Sequence, residues 1–279
     1  MEESLPPPED LASLLKWYVE QGLDETIGEE AIDRFAIVAQ APVVAPAVPA
    51  AAPTPFRPAP PSPAAAPRAP VPLESPQVVE DARALAAGCA TVADLEAAIR
   101  SFEGCTLKRT AKNTVFADGD PSAPVMIIGE APGADEDRLG KPFVGVSGQL
   151  MDRMMEAIGL KRGDGFYITN ILFWRPPGNR TPTLAEQAMC LAFTRRHLEL
   201  VRPKLLVLAG GTAAKAVLDT AEGIMRLRGK WTSVRLDDGT EIPTMPTFHP
   251  AYLLRTPASK RQSWIDMLAI DKKLKELTA

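Results

Sequence analysis

Val125-Met126-Ile127-Ile128 runs into Gly129-Glu130-Ala131-Pro132-Gly133, and the reading of this stretch decides the fold. Consecutive apolar, mostly β-branched residues without polar alternation suit a strand buried on both faces, as in a parallel sheet covered by helices. The Pro-Gly pair that follows forces a turn. Glu130 therefore stands at the carboxyl end of a buried strand, where open α/β sheets gather their ligands. A short acidic loop then leads to Lys141-Pro142-Phe143-Val144-Gly145.

Outward from this strand the pattern alternates. Phe166-Tyr167-Ile168-Thr169-Asn170 and Leu205-Leu206-Val207-Leu208-Ala209 read as two more strands, and a fourth ends near Thr247-Phe248-His249. Between them lie helical patterns. One is N-capped by Ser147, carries Leu150, Met154, Ala157 and Ile158 on one face, and ends at Gly159; others cover Leu184 to Leu200 and begin at Thr212. Upstream, Ala82 to Ala87 and Val92 to Phe102 also read as helix. Four strands with intervening helices predict a small four-stranded parallel sheet covered on both faces, with Glu130, Asn170, Gly210 and His249 at its ligand-binding edge.

The amino-terminal third reads differently. A Pro/Ala tract from Ala41 to Pro72 cannot bury apolar surface and divides the chain into an acidic segment (1–40), a disordered spacer (41–78) and a globular domain (79–279). Within the first, Leu11, Leu14, Leu15, Tyr18 and Val19 fall on one stripe of an amphipathic helix over residues 9–23, which either packs on its own domain or meets a protein partner. Residues 1–99 hold 5 Lys+Arg against 15 Asp+Glu, whereas residues 100–279 hold 26 against 20. The formal net charge of −4 hides that asymmetry, and a basic globular part suits a polyanion. An acidic Met1-Glu2-Glu3-Ser4 start and the lack of a long apolar run argue against a secretion signal or membrane span, so a cytoplasmic protein is expected. Three cysteines, Cys89, Cys105 and Cys190, give no disulfide framework.

Read together, Gly129-Glu130-Ala131-Pro132-Gly133, Glu136-Asp137-Arg138, Lys141-Pro142-Phe143-Val144-Gly145, Thr169-Asn170, Arg175-Pro176-Pro177-Gly178-Asn179-Arg180 and His249-Pro250-Ala251-Tyr252-Leu253-Leu254-Arg255 closely resemble the family 4 uracil-DNA glycosylases. The resemblance runs from about Cys105 to the last helix and implies the three-layer fold of that superfamily. A segment of some phage-type DNA polymerases is similar to the same domain. What the resemblance implies is a monomeric repair enzyme that flips uracil out of DNA and hydrolyses its N-glycosidic bond. Breaking that bond puts positive charge on the sugar and negative charge on the base, so a carboxylate and a hydrogen-bond donor are needed on opposite sides. Glu130 would direct the attacking water, and His249 would donate to uracil O2.

An amide offers both a donor and an acceptor, as the polar edge of uracil requires. The resemblance gives that role to Asn170, places Phe143 as the aromatic plate under the flipped ring with Gly129 beside it, and sets Glu136 against C5, where thymine has its methyl. Taken alone, Phe143 could equally be a core aromatic, and Glu136 could be surface in an acidic cluster with Asp135 and Asp137. Leu253 or Leu254 would wedge into the emptied stack, with Arg255, Lys260 and Arg180 on the DNA. The same leucines could instead begin a core face. His197, beside Arg195 and Arg196, reads as a surface residue.

At the metal the sequence departs from the family. The resemblance implies a four-iron, four-sulfur cluster on four cysteines, but only Cys105 and Cys190 match; Phe102 and Trp174 stand at the other two positions. A phenyl and an indole cannot ligate iron, so no cofactor is expected and apolar packing replaces the cluster. Two other functions compete: a non-catalytic DNA- or damage-binding module of the same fold, and a metal-dependent phosphoesterase built on Glu130, Asp135, Asp137 and His249. Relatives that trap themselves on the abasic product carry an extra histidine in a basic loop; Arg175 to Thr183 has none, so turnover is expected.

Overall fold

The computed structural model describes residues 76–278. The helix expected over residues 9–23 and the spacer up to residue 75 lie outside the described residues; residues 76–78, expected as the end of that spacer, instead begin the first helix. Two helices, α1 (Pro76–Ala87) and α2 (Val92–Ser101), precede the sheet. A reciprocal capping box starts α2: Thr91 Oγ1 accepts the Asp94 N–H at 3.1 Å, and Asp94 accepts the Thr91 N–H at 2.9 Å.

The sheet follows as β1 (Ala117–Asp118), β2 (Val125–Gly129), β3 (Phe166–Asn170), β4 (Leu205–Ala209), β5 (Thr232–Arg235) and β6 (Glu241–Thr247). Its order is β1-β3-β2-β4-β6-β5. The expected four parallel strands form its centre, β3-β2-β4-β6, and antiparallel β1 and β5 extend both edges. The sheet is thus mixed and six-stranded. Two residues leave too little pattern to read β1, and β5 is mostly exposed and polar, held by a hairpin to β6.

Every residue of β2, β3 and β4 is buried, as a strand covered on both faces requires. Alternation sends Met126 and Ile128 into a core that includes the buried residues of α1, α2 and α5 (Leu184–Val201). Val125 and Ile127 face the opposite core, where Met151 and Met155 of α4 (Val146–Glu156) meet Met267 and Ile270 of α9 (Lys260–Thr278). The remaining helices are short: α3 (Ala134–Leu139), α6 (Gly211–Leu218), α7 (Ile224–Leu227) and α8 (Pro250–Arg255). The three-layer architecture stands.

Two helix details differ from expectation. Gly145, not Ser147, is the N-cap of α4, and its buried face is Gly148, Met151 and Met155. Leu150, Met154 and Ala157 instead line an apolar groove against α9. Two apolar stripes one residue apart share this helix, and contact with the sheet selects the methionines.

His197 is fully buried, not a surface residue. It lies on the inward stripe of α5 with Met189, Cys190, Phe193, Thr194 and Leu198, stacks on Phe116 at 4.6 Å between centroids, and shares a 3.0 Å hydrogen bond with the Tyr167 hydroxyl. Burial pushes its pKa down to about 3 from an ordinary 6.5. The folded protein therefore holds a neutral imidazole where the unfolded chain takes up a proton. Stability is fully present above the unfolded value and falls as the pH drops from 6.5 toward 3. At about 1.4 kcal/mol per pH unit, His197 removes roughly 2–3 kcal/mol between pH 7 and about pH 4.5. Denaturant titrations at the two pH values should show that loss, and His197→Gln should flatten it by a comparable amount.

Candidate active site

The parallel register brings the functional strand ends level. Gly129 pairs with Asn170 across β2 and β3, and Ala209 with Thr247 across β4 and β6. A cavity of about 440 Å³ opens at this edge, lined by Glu130, Glu136, Phe143, Asn170, Arg180, His249 and Arg255 among others. Seven of the residues singled out in the sequence thus share one cavity.

Gly129 does not line it. A Cβ at Gly129 would lie 2.5 Å from Asn170 Oδ1 and also strike the Phe143 ring, so the missing side chain is what lets amide and ring approach each other. Asn170 is 2% exposed, and its Oδ1 has no hydrogen-bond partner among the described residues. A buried orphan acceptor costs about 1–3 kcal/mol unless something fills it, which makes Asn170 a candidate recognition group.

Glu130 is half-buried, and among the described residues its carboxylate accepts no hydrogen bond. Its backbone carbonyl is fixed by the Leu172 N–H at 3.0 Å. The strand end is rigid, and the carboxylate is left available to water or substrate.

His249 caps α8. Its Nδ1 accepts the Ala251 N–H at 3.1 Å, so a neutral ring carries its proton on Nε2. Burial, then the nearby Arg255 charge, lower its pKa to about 4 against a small opposing effect of Glu136, leaving a neutral Nε2–H donor at pH 7. The ring stacks on Phe143 with centroids 5.6 Å apart.

Glu136 is buried, and both oxygens are engaged: Oε2 accepts the Gly133 N–H at 3.0 Å, and Oε1 accepts those of Val144 at 3.0 Å and Gly145 at 2.9 Å. It is a brace for the Phe143 loop as well as a cavity wall. Arg180 forks onto Glu186 at 2.9 and 2.6 Å.

Two expectations change. Leu253 is 1% exposed and packs inward, at the start of a core face; Leu254, one residue on, is 39% exposed. A 100° step along α8 separates the two fates. Lys260 is exposed and lines the apolar groove between α4, α8 and α9. The acidic group proposed for a metal phosphoesterase is dispersed: Asp135 pairs with Arg138 at 3.1 Å, and Asp137 accepts the N–H groups of Lys112 and Asn113 at 2.7 and 3.1 Å. Among the described residues no group of three or more His, Cys, Asp or Glu is arranged to hold a metal ion.

Arg162 stands in no motif of the sequence. It donates to the carbonyls of Pro142 and Phe143 from about twenty residues away, and no local pattern signals such a contact.

Fold and cavity together define a class, an α/β protein whose parallel strands end at a cavity lined by an aromatic ring, a buried amide, a carboxylate and an imidazole. Comparison with known proteins narrows it. The model of the uracil DNA glycosylase superfamily matches residues 116–270. A type-4 uracil-DNA glycosylase of Pyrobaculum aerophilum is 37% identical over 173 residues, covering 61% of this chain and 87% of that protein. Another from Archaeoglobus fulgidus is 37% identical over 188 residues, covering 66% and 92%. A DNA polymerase of Bacillus phage SP01 is 26% identical over 152 residues, 54% of this chain but 16% of the polymerase. The chain belongs to the uracil-DNA glycosylase superfamily, in its type-4 branch.

The iron–sulfur cluster of that branch does not fit these residues. Cys105 and Cys190 are buried, but Phe102 packs edge-on against Phe193 at 5.2 Å, and Phe173 against Phe193 at 6.5 Å and Trp174 at 6.1 Å. Trp174 is further tied by its Nε1–H to Thr114 Oγ1 at 3.0 Å. Phe102 and Trp174 stand at two of the four positions where the resemblance implies cysteine ligands, and two thiolates do not make a four-cysteine cluster site.

Proposed function

We propose that this chain hydrolyses the N-glycosidic bond of deoxyuridine in DNA, releasing uracil and leaving an abasic site. The observation that carries the reading is Asn170, whose Oδ1 has no hydrogen-bond partner among the described residues and which lines one cavity with Glu130, Phe143 and His249. Uracil N3–H supplies the donor that this oxygen lacks, and the amide NH₂ meets O4. Phe143 stacks on the ring. Glu136, pinned by three backbone N–H groups, cannot retreat from the C5 edge, so a thymine methyl meets a fixed obstacle.

As the C1′–N1 bond breaks, its electron pair passes to uracil, and charge collects on O2. The neutral Nε2–H of His249 donates there, stabilising an anionic leaving group without itself giving up the proton. Glu130 faces the electron-poor sugar, orients the water that attacks C1′ and takes the proton it sheds. Exposed Leu254 would enter the gap left by the everted base, and Arg255 beside it, which lines the cavity, would hold a phosphate. The catalytic unit is the domain from about residue 79 onward.

The test is an oligonucleotide with a single uracil, incubated in EDTA and then treated with alkali. Strand breaks at the uracil position are expected, and their absence overturns the reading. The domain works with its aromatic core in place of the cluster, so purified protein should contain far less than one iron per chain and show no absorption band near 400 nm; stoichiometric iron would refute this.

A further inference from the structure

Phe143 has a left-handed backbone, φ 53°, a conformation that non-glycine residues rarely adopt and that persists only where its surroundings enforce it. Glu136 holds the N–H groups that follow it. The carbonyl side is held by Arg162, whose Nη1 donates to Pro142 O at 3.0 Å and Nη2 to Phe143 O at 2.8 Å.

Arg162 is itself fixed. Its Nε and Nη2 reach Asp152 Oδ1 of α4 at 2.9 and 2.7 Å, and its Nη1 lies 3.4 Å from Asp118 Oδ2 of β1. The guanidinium sits 5.8 Å from the centroid of the Phe166 ring. Behind the loop, a Cβ at Gly148 would run into the Phe143 backbone. The loop is therefore gripped from three sides, and Arg162 does so without lining the cavity.

We propose that Arg162 is a positioning residue for base recognition: it locks the strained Phe143 backbone so that the ring is presented to the everted base before binding. This rests on the uracil reading above. A lysine cannot substitute, because a single ammonium cannot fork onto two successive carbonyls while pairing with carboxylates on two elements.

The experiment is a double-mutant cycle, with thermal melts to show that each variant folds. Arg162→Lys should lower kcat/KM about 30-fold, with most of the loss in KM and in a weaker inhibition by free uracil. In a Phe143→Ala background the same change should cost less than about 3-fold, since the two residues act as one unit. Arg162→Gln should behave like Arg162→Lys. Losses that multiply independently, or an Arg162→Lys enzyme equal to the parent, overturn the proposal. A readout without catalysis separates this from the functional reading: 4-fluorophenylalanine at position 143 should give a shifted or broadened ¹⁹F resonance in Arg162→Lys. An unchanged resonance refutes the clamp even if uracil is excised, and a changed one supports it even if uracil is not.

Discussion

Glu130→Gln leaves a folded protein that binds uracil-containing DNA and excises about 10³-fold more slowly. The size follows from the group's task. A positioned acid–base group contributes roughly 10²–10⁴-fold, and the amide keeps the shape of the carboxylate while giving up both its proton affinity and its charge beside the electron-poor sugar. Because the Glu130 carboxylate accepts no hydrogen bond from the described residues, its loss breaks nothing in the fold. The thermal midpoint should therefore be unchanged or slightly raised, as at sites where function opposes stability. Single-turnover rates on a uracil oligonucleotide, set beside DNA affinity and a thermal melt, check all three. A rate within about 5-fold of the parent would remove Glu130 from the chemistry.

How far residues alone revealed this site depended on whether the signal was local. Strand ends marked by Gly129-Glu130 and Thr169-Asn170 were legible, since a continuous apolar run closed by a turn has few other readings. The two edge strands were not, because two residues of β1 and an exposed β5 take their conformation from the strand beside them. The arginine neighbours of His197 suggest the surface, whereas the spacing Met189, Phe193, His197 along α5 puts it on the buried stripe. Leu253 and Leu254 could not be told apart without the direction in which α8 packs. Arg162, whose partners are loop carbonyls and two distant carboxylates, had no pattern to betray it.

Substitutions at Asn170 should separate recognition from stability, because the two pull in opposite directions there. Asn170→Asp keeps the shape but replaces a donor by a second acceptor. The carboxylate then faces uracil O4 with no hydrogen to offer and sets a negative charge beside a base that itself becomes anionic. Rejection of a ligand by a mispaired buried polar group reaches about 10⁴–10⁵-fold, so excision should fall by at least about 10⁴-fold. Asn170→Ala also loses recognition, but it leaves room for water and introduces no charge, and a fall of about 10²–10³-fold is expected. The folded states should respond otherwise. Oδ1 has no partner among the described residues, so the alanine variant sheds an uncompensated buried acceptor and should be within about 1 kcal/mol of the parent in stability, or more stable. The aspartate variant buries a carboxyl at a position 2% exposed and should be destabilised by more. An Asn170→Asp enzyme more active than Asn170→Ala, measured under single turnover on the same oligonucleotide, would show that this side chain does not read the edge of the base.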